Sequence, residues 1–195
     1  MASSRNLIRN IVASIEPFDD IEAAHQQDVL DWIKSGAPLF RITKPDNPPK
    51  HLVSYFVLFD AATNKLMLVD HAKAEAWLPA GGHVEQDEDP RVTVIRESDE
   101  ELGVTAKFDT AYGNNPLFVT VGTTKGYGNH TDVSLWYVIN GDSSLSLTYD
   151  PKEMHGYKWL TFDEVLTMDI STLDPHLHRF VRKMRLYYNT PKGFV

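Results

Sequence analysis

The 195 residues carry a formal charge of −8, with 42% hydrophobic and 24% charged side chains, enough apolar material for one enzyme-sized core plus an extension. That acidity argues against a chain whose main partner is a nucleic acid, because a phosphate backbone needs Lys and Arg to displace its counterions. With no cysteine, disulfides, thiolate zinc sites and thiol nucleophiles are excluded. The N-terminal stretch has no signal-length apolar core and no apolar run reaches roughly 18 residues, so the expected setting is cytoplasmic, with no membrane segment.

Residues 1–40 read as a helical extension of two short helices. The second covers residues 25–35, with Val29, Leu30, Trp32 and Ile33 as its apolar cover and Gly36 as its stop. A Pro-rich connector at 44–49 leads into the main domain, residues 41–195. Residues 51–59 and 65–69 read as strands joined in a hairpin through 60–64. Ala76, Trp77 and Leu78 look like a strand end, followed by a turn at Pro79, Ala80, Gly81 and Gly82. A helix then starts with Asp89 as N-cap and Pro90 at its first position and stops at Gly103. Its predicted buried stripe is Val94, Ile95, Ser98 and Leu102. Further strands are expected at 107–112, 117–121, 132–139 and 157–160. A helix over 162–168 follows, opened by the capping box Thr161 to Glu164, and a last helix begins at Asp174-Pro175. Strands interleaved with few helices predict an α/β (α+β) fold with a mixed sheet between helical layers.

The chemistry concentrates in the helix that begins at Pro90. At 100° per residue, Glu97, Glu100 and Glu101 fall within an arc of about 100°, where like charges three or four positions apart cost about 0.2–0.5 kcal/mol per pair if nothing neutralises them. A cation is therefore expected. Oxygen-only ligands suit hard Mg²⁺ or Mn²⁺, and this stretch offers neither thiolates nor paired imidazoles for zinc. The competing reading, a solvated acidic face, is the usual one for Glu-rich helical runs. It loses here because the surrounding spacing is so specific.

Residues 82–104 resemble the Nudix box, G-x5-E-x7-R-E-U-x-E-E-x-G-U with U bulky and aliphatic, in every position except Ser98 at the first U. At residue frequencies of roughly 5–10%, the seven fixed positions coincide by accident with odds on the order of 10⁻⁹ to 10⁻⁷ per starting point. The resemblance implies a three-layer α/β/α sandwich. It also implies that Glu97, Glu100 and Glu101 ligate a divalent metal, with the Gly81 carbonyl a further candidate ligand, and that Glu88 and Arg96 brace loop against helix. Gly82 and Gly103 are the box's structural glycines. Ser98 should face the core at a small cost in stability, its hydroxyl bonding back to the Val94 carbonyl. The phrase from Leu78 to Glu85, with the upstream helix, looks like a bacterial subgroup of unassigned substrate.

The activity so implied is metal-dependent hydrolysis of a diphosphate linkage in a nucleoside diphosphate joined to another group. The general base is left open among Glu97, Glu100 and Glu101, or a glutamate outside the box, of which Glu153 on the loop at 150–153 is favoured; Glu85, just past His83, is a further pocket carboxylate or simply lines the turn. For the substrate, the Gly-rich segment 122–132 offers Lys125 for a phosphate, Tyr127 for a base and His130 as an acid or base; a plain hairpin connection is the alternative. Trp77, Trp136 and Trp159 sit in strand patterns and are assigned to packing. The rival function is a non-catalytic ligand sensor or interaction module on the same fold, a fate usually accompanied by loss of box carboxylates, all of which are present. Homodimers are common in the family, and the terminal helices are reasonable contact surfaces.

Overall fold

The computed structural model of the protein describes residues 4–43, 47–124 and 130–189. Two helices, α1 (Ser4–Ala13) and α2 (Asp20–Lys34), precede a long central strand, β1 (Lys50–Asp60). There follow β2 (Lys65–His71), β3 (Ala76–Leu78), β4 (Ala80–His83), α3 (Pro90–Leu102), β5 (Phe118–Thr123), β6 (Thr131–Asn140) and β7 (Met154–Thr161). The chain closes with α4 (Phe162–Thr167), a 3₁₀ turn (Ile170–Thr172) and α5 (Leu177–Asn189).

One seven-stranded mixed sheet organises the molecule. β1 runs parallel to β6 along its whole length, while every other pairing is antiparallel. On its second edge β1 takes two partners in succession: β4 against Val53 to Phe56, then β2 against Phe59 and Asp60. The predicted hairpin between the first two strands is therefore real but short, and the gap it leaves admits β4.

Alternation along β1 sends its side chains into two cores. Leu52, Phe56 and Leu58 join Ile8, Val12, Val29, Ile33, Val94 and Leu102 beneath α1, α2 and α3. Val57 and Phe59 join Trp136, Val165, Phe180, Val181 and Met184 beneath α4 and α5. Both faces being covered, β1 reads as a near-continuous apolar run. The three-layer sandwich expected from the sequence is the architecture observed. Among the described residues, no helix is long and apolar enough to cross a membrane.

Four local readings need correction. Residues 80–83 form a strand rather than a turn, because β1 supplies the hydrogen-bonding edge that a glycine-rich tetrapeptide cannot announce by itself. Residues 107–112 form no strand; Phe108 makes a single bridge to Ile139, and the Asp109 carboxylate accepts from the Ala111 N–H at 2.7 Å to build a turn. The second helix begins at Asp20, five residues earlier than its apolar pattern suggested, capped by Asp19, whose carboxylate accepts from the Glu22 N–H at 2.8 Å. Within α3, Ile95 is 45% exposed, whereas Thr93 is buried with Val94, Ser98 and Leu102. The buried arc of α3 is thus rotated toward its carboxylates.

The N-terminal helices are bound tightly to the rest. Glu22, fully buried, accepts from Lys183 Nζ of α5 at 2.8 Å, from the Phe18 N–H at 2.6 Å and from the Val119 N–H at 3.3 Å. Val119 lies on β5, an outer strand of the sheet, so this carboxylate satisfies a backbone donor at the sheet edge as well as a buried ammonium.

Candidate active site at the glycine strand and acidic helix

The helix α3 opens as its sequence dictates. Asp89 is the N-cap, accepting from the Arg91 N–H at 3.0 Å, and Pro90 needs no partner for its missing N–H. At the far end Gly103 adopts φ 64°, a left-handed cap that L side chains resist. Ser98 is completely buried, with Oγ 3.0 Å from both the Ile95 and the Val104 carbonyl oxygens, rather than bonded to Val94. A hydroxyl at a position where the family pattern is aliphatic thus ties the helix to the residue after its cap.

Strand β4 brings the glycines under this helix. Gly81, at φ 149°, lies so close to β1 that a β-carbon would stand 2.1 Å from the Ser54 carbonyl oxygen. At Gly82 a β-carbon would stand 2.0 Å from Glu97 Oε1, so the space beside β4 is filled by the carboxylate itself. The Gly81 N–H donates to Glu101 Oε2 at 3.2 Å. Both carboxylates therefore lie against glycine backbone, Glu97 and Glu101 half-buried and Glu100 open to solvent.

Arg96 organises the loop side of this cluster. Its Nη1 donates to Glu97 Oε1 at 2.7 Å and to Glu100 Oε2 at 3.4 Å, its Nη2 to Glu88 Oε2 at 3.3 Å and to the His83 carbonyl at 3.2 Å. Glu88 also accepts from Thr93 Oγ1 at 2.7 Å and from the Glu85 N–H at 3.0 Å. Burial alone would raise Glu88, but Arg96 and these two donors bring it below the usual carboxylate value. Loop, strand end and helix therefore meet at one guanidinium.

The cluster is electrostatically overloaded. Burial raises Glu97 above its ordinary value, against the pull of Arg96, and the charges of Glu100 and Glu153 raise it further. Burial pushes Glu101 up to about 8, with Glu97, Glu153 and Glu100 adding to the effect and the Gly81 N–H opposing it. Each of these shifts marks a place where added positive charge would be stabilising. The donors are carboxylate oxygens, a set that fits a hard divalent cation. Glu153, exposed on the loop before β7, lies near enough for its charge to act on both Glu97 and Glu101.

Of the other sequence candidates, Glu85 is exposed and offers its backbone to Glu88, and Lys125 and Tyr127 lie outside the described residues. His130 is placed on the opposite face of the sheet from the glutamates, beside His51, His83 and Asp132. Sequence reasoning missed that grouping, whose members come from β1, β4, β6 and the residue just before β6. Trp136 is buried, its Nε1 donating to Thr120 Oγ1 at 2.9 Å, in keeping with a packing role.

The NUDIX domain pattern matches residues 49–184, most of the chain, and the protein belongs to the NUDIX domain family. Its fold is similar to that of a MutT protein from Methanosarcina mazei Go1, at 18% identity and a TM-score of 0.55, over 73% of this chain and 97% of that one. The dihydroneopterin triphosphate pyrophosphohydrolase of E. coli is similar at 14% identity and a TM-score of 0.54, over 78% and 100%. The Ap4A hydrolase of C. elegans is similar at 16% and 0.54, over 70% and 96%. At these identities the likeness concerns the fold. Among curated proteins, none matches the sequence.

Proposed function

We propose that the protein is a divalent-metal-dependent pyrophosphohydrolase that cleaves the diphosphate linkage of a nucleoside diphosphate joined to a second moiety. The observation that carries this reading is the seating of Glu97 against Gly82 and of Glu101 on the Gly81 N–H, with Glu100 sharing Arg96 with Glu97 and the carboxyl of Glu101 pushed up to about 8 by burial and its acidic neighbours. The similar folds include a pyrophosphohydrolase of a pterin triphosphate and a hydrolase of a dinucleoside polyphosphate, both substrates with P–O–P bridges.

In this reading Glu97, Glu100 and Glu101, with the Gly81 carbonyl, would hold Mg²⁺ or Mn²⁺. When bound, such an ion neutralises charge that builds on the phosphates as the bridge breaks and makes a bound water more acidic. Arg96 keeps Glu97 and Glu100 oriented while Glu88 keeps Arg96 in place. Gly82 leaves Glu97 its room. Glu153 is assigned as the base that would accept the proton of the attacking water, since the three box glutamates would hold the cation and Glu153 lies near enough for its charge to act on Glu97 and Glu101. Lys125 and Tyr127 are assigned to the phosphate chain and the base of the substrate.

The test is a panel of dinucleotides, nucleotide sugars, nucleoside triphosphates and inositol or prenyl diphosphates incubated with Mg²⁺ or Mn²⁺, with products identified by mass. Cleavage within a P–O–P bridge is expected for at least one nucleotide class. Tight binding of a nucleotide without turnover would instead establish the sensor reading.

A further inference from the structure

A second cluster lies on the other face of β4. His51 of β1 is register partner to Asp132 of β6, and His83 of β4 is register partner to Val53, two residues along the same face of β1 as His51. His130 precedes Asp132 by two and shares its face. Gly82, one residue before His83, faces the opposite way, toward Glu97. One strand end thus carries the glutamate site on one side and three imidazoles with a carboxylate on the other.

The geometry of this cluster is that of ligands around a common point. One ligand-type atom from each of the four residues lies within 4.8 Å of all the others. His51 Nε2 and His130 Nε2 stand 3.2 and 3.3 Å from Asp132 Oδ1. In a tetrahedral zinc site with bonds of about 2.0–2.1 Å, neighbouring donor atoms are about 3.3–3.4 Å apart. Although so close, His51 Nε2 and Asp132 Oδ1 make no well-formed hydrogen bond, and His83 Nε2 likewise is buried without a hydrogen-bond partner. Buried nitrogen and oxygen atoms left in this state are costly unless something bridges them.

The outer contacts favour the same arrangement. His51 Nδ1 lies 2.8 Å from the Pro48 carbonyl oxygen, which can only accept, so Nδ1 carries the proton and a neutral ring keeps its lone pair at Nε2, inside the cluster. His130 Nδ1 lies 3.0 Å from Thr124 Oγ1, leaving Nε2 as the atom turned toward Asp132. Three imidazoles and one carboxylate select a borderline metal such as Zn²⁺ over Mg²⁺, the converse of the all-oxygen set on the acidic helix.

We propose that His51, His83, His130 and Asp132 form a second metal site, a closed four-ligand zinc centre that ties β1, β4 and β6 together. Its role is structural. His83 presents its carbonyl to Arg96, so holding its ring fixes the strand end on which the glutamate cluster rests. The assignment does not depend on the proposed hydrolysis.

The test uses the full-length protein without an affinity tag, stripped with a chelator and titrated with Co²⁺ as a visible reporter. The expected result is a set of intense visible bands of four-coordinate cobalt, saturating at one equivalent and displaced by Zn²⁺. The bands should vanish in His83→Gln and in Asp132→Asn and persist in the Glu97→Gln/Glu100→Gln double variant. Added Zn²⁺ should raise the melting temperature of the wild-type protein but not of His130→Ala. Absence of these bands in folded wild-type protein would overturn the proposal, as would their persistence in folded His83→Gln or their loss in the glutamate double variant. Should the histidine variants fail to fold, the wild-type titration and the glutamate variant decide the matter.

Discussion

Gly82 and Glu97 occupy each other's space: the position a β-carbon would take at residue 82 is 2.0 Å from Glu97 Oε1. The absence of a side chain on β4 therefore lets a carboxylate of α3 lie against the strand. Because the obstructed atom ends a flexible side chain, Gly82→Ala should fold with an unchanged circular dichroism spectrum. Displacing Glu97 should nevertheless weaken Mn²⁺ binding by about 10–100-fold, the usual cost of disturbing the support of a metal ligand, as read by calorimetric titration. Gly81→Ala behaves differently, since its β-carbon would meet the Ser54 carbonyl at 2.1 Å and the backbone sits at φ 149°. That variant should lose stability outright, seen as a lowered melting temperature without any metal present.

The buried Lys183–Glu22 pair should be far more sensitive to single than to double replacement. Burial lowers the Lys183 ammonium and raises the Glu22 carboxyl from their ordinary values, each against the pull of the other. Removing one partner strands the other, so Lys183→Met should cost about 3–5 kcal/mol in urea denaturation. Adding Glu22→Gln, which removes the stranded charge and keeps one acceptor oxygen for either the Phe18 or the Val119 N–H, should recover part of that loss.

Asp19 gives the protein an acid limb. The Arg179 guanidinium and the N–H groups at the start of α2 hold its carboxyl at about 2, from an ordinary 3.8, in spite of partial burial. A carboxyl lowered on folding contributes stability that is present above pH 3.8 and is lost as pH falls toward 2. Melting temperatures at pH 4 and pH 2 should therefore differ less in Asp19→Asn than in the wild-type protein. Equal differences would contradict the assignment.

Ser98 departs from the aliphatic pattern without touching the carboxylates. Ser98→Ala removes the bond shared by the Ile95 and Val104 carbonyls and should lower stability by about 1 kcal/mol in urea denaturation, with metal affinity unchanged.

Much of this architecture was legible in the sequence. The helix α3 announced itself through Asp89, Pro90 and Gly103, α4 through its Thr161–Glu164 capping box, and the spacing of glycines, glutamates and Arg96 over residues 82–104 carried the resemblance to the family. What escaped depends on partners distant in the chain. Glu22 interrupts the apolar pattern of α2, and only Lys183, 161 residues later, explains why a glutamate belongs in the interior. Residues 80–83 have poor strand propensity and become a strand because β1 has an open edge beside them. The exposure of Ile95 and the burial of Thr93 depend on how α3 sits on the sheet, with Glu97 in the space that Gly82 leaves, which the helical wheel alone cannot give. His51, His83, His130 and Asp132 look like isolated polar interruptions until the β1–β6 and β1–β4 registers set them on one face.

The central claim is that the three glutamates gather a divalent ion where a diphosphate can lie. The most direct measurement is anomalous scattering from a crystal soaked with Mn²⁺ and a nucleoside diphosphate analogue whose bridging oxygen is replaced by methylene. A manganese peak bounded by Glu97, Glu100 and Glu101, with the analogue's phosphates against it, is the predicted result. Phosphates bound with those three carboxylates turned apart and no manganese between them would contradict it.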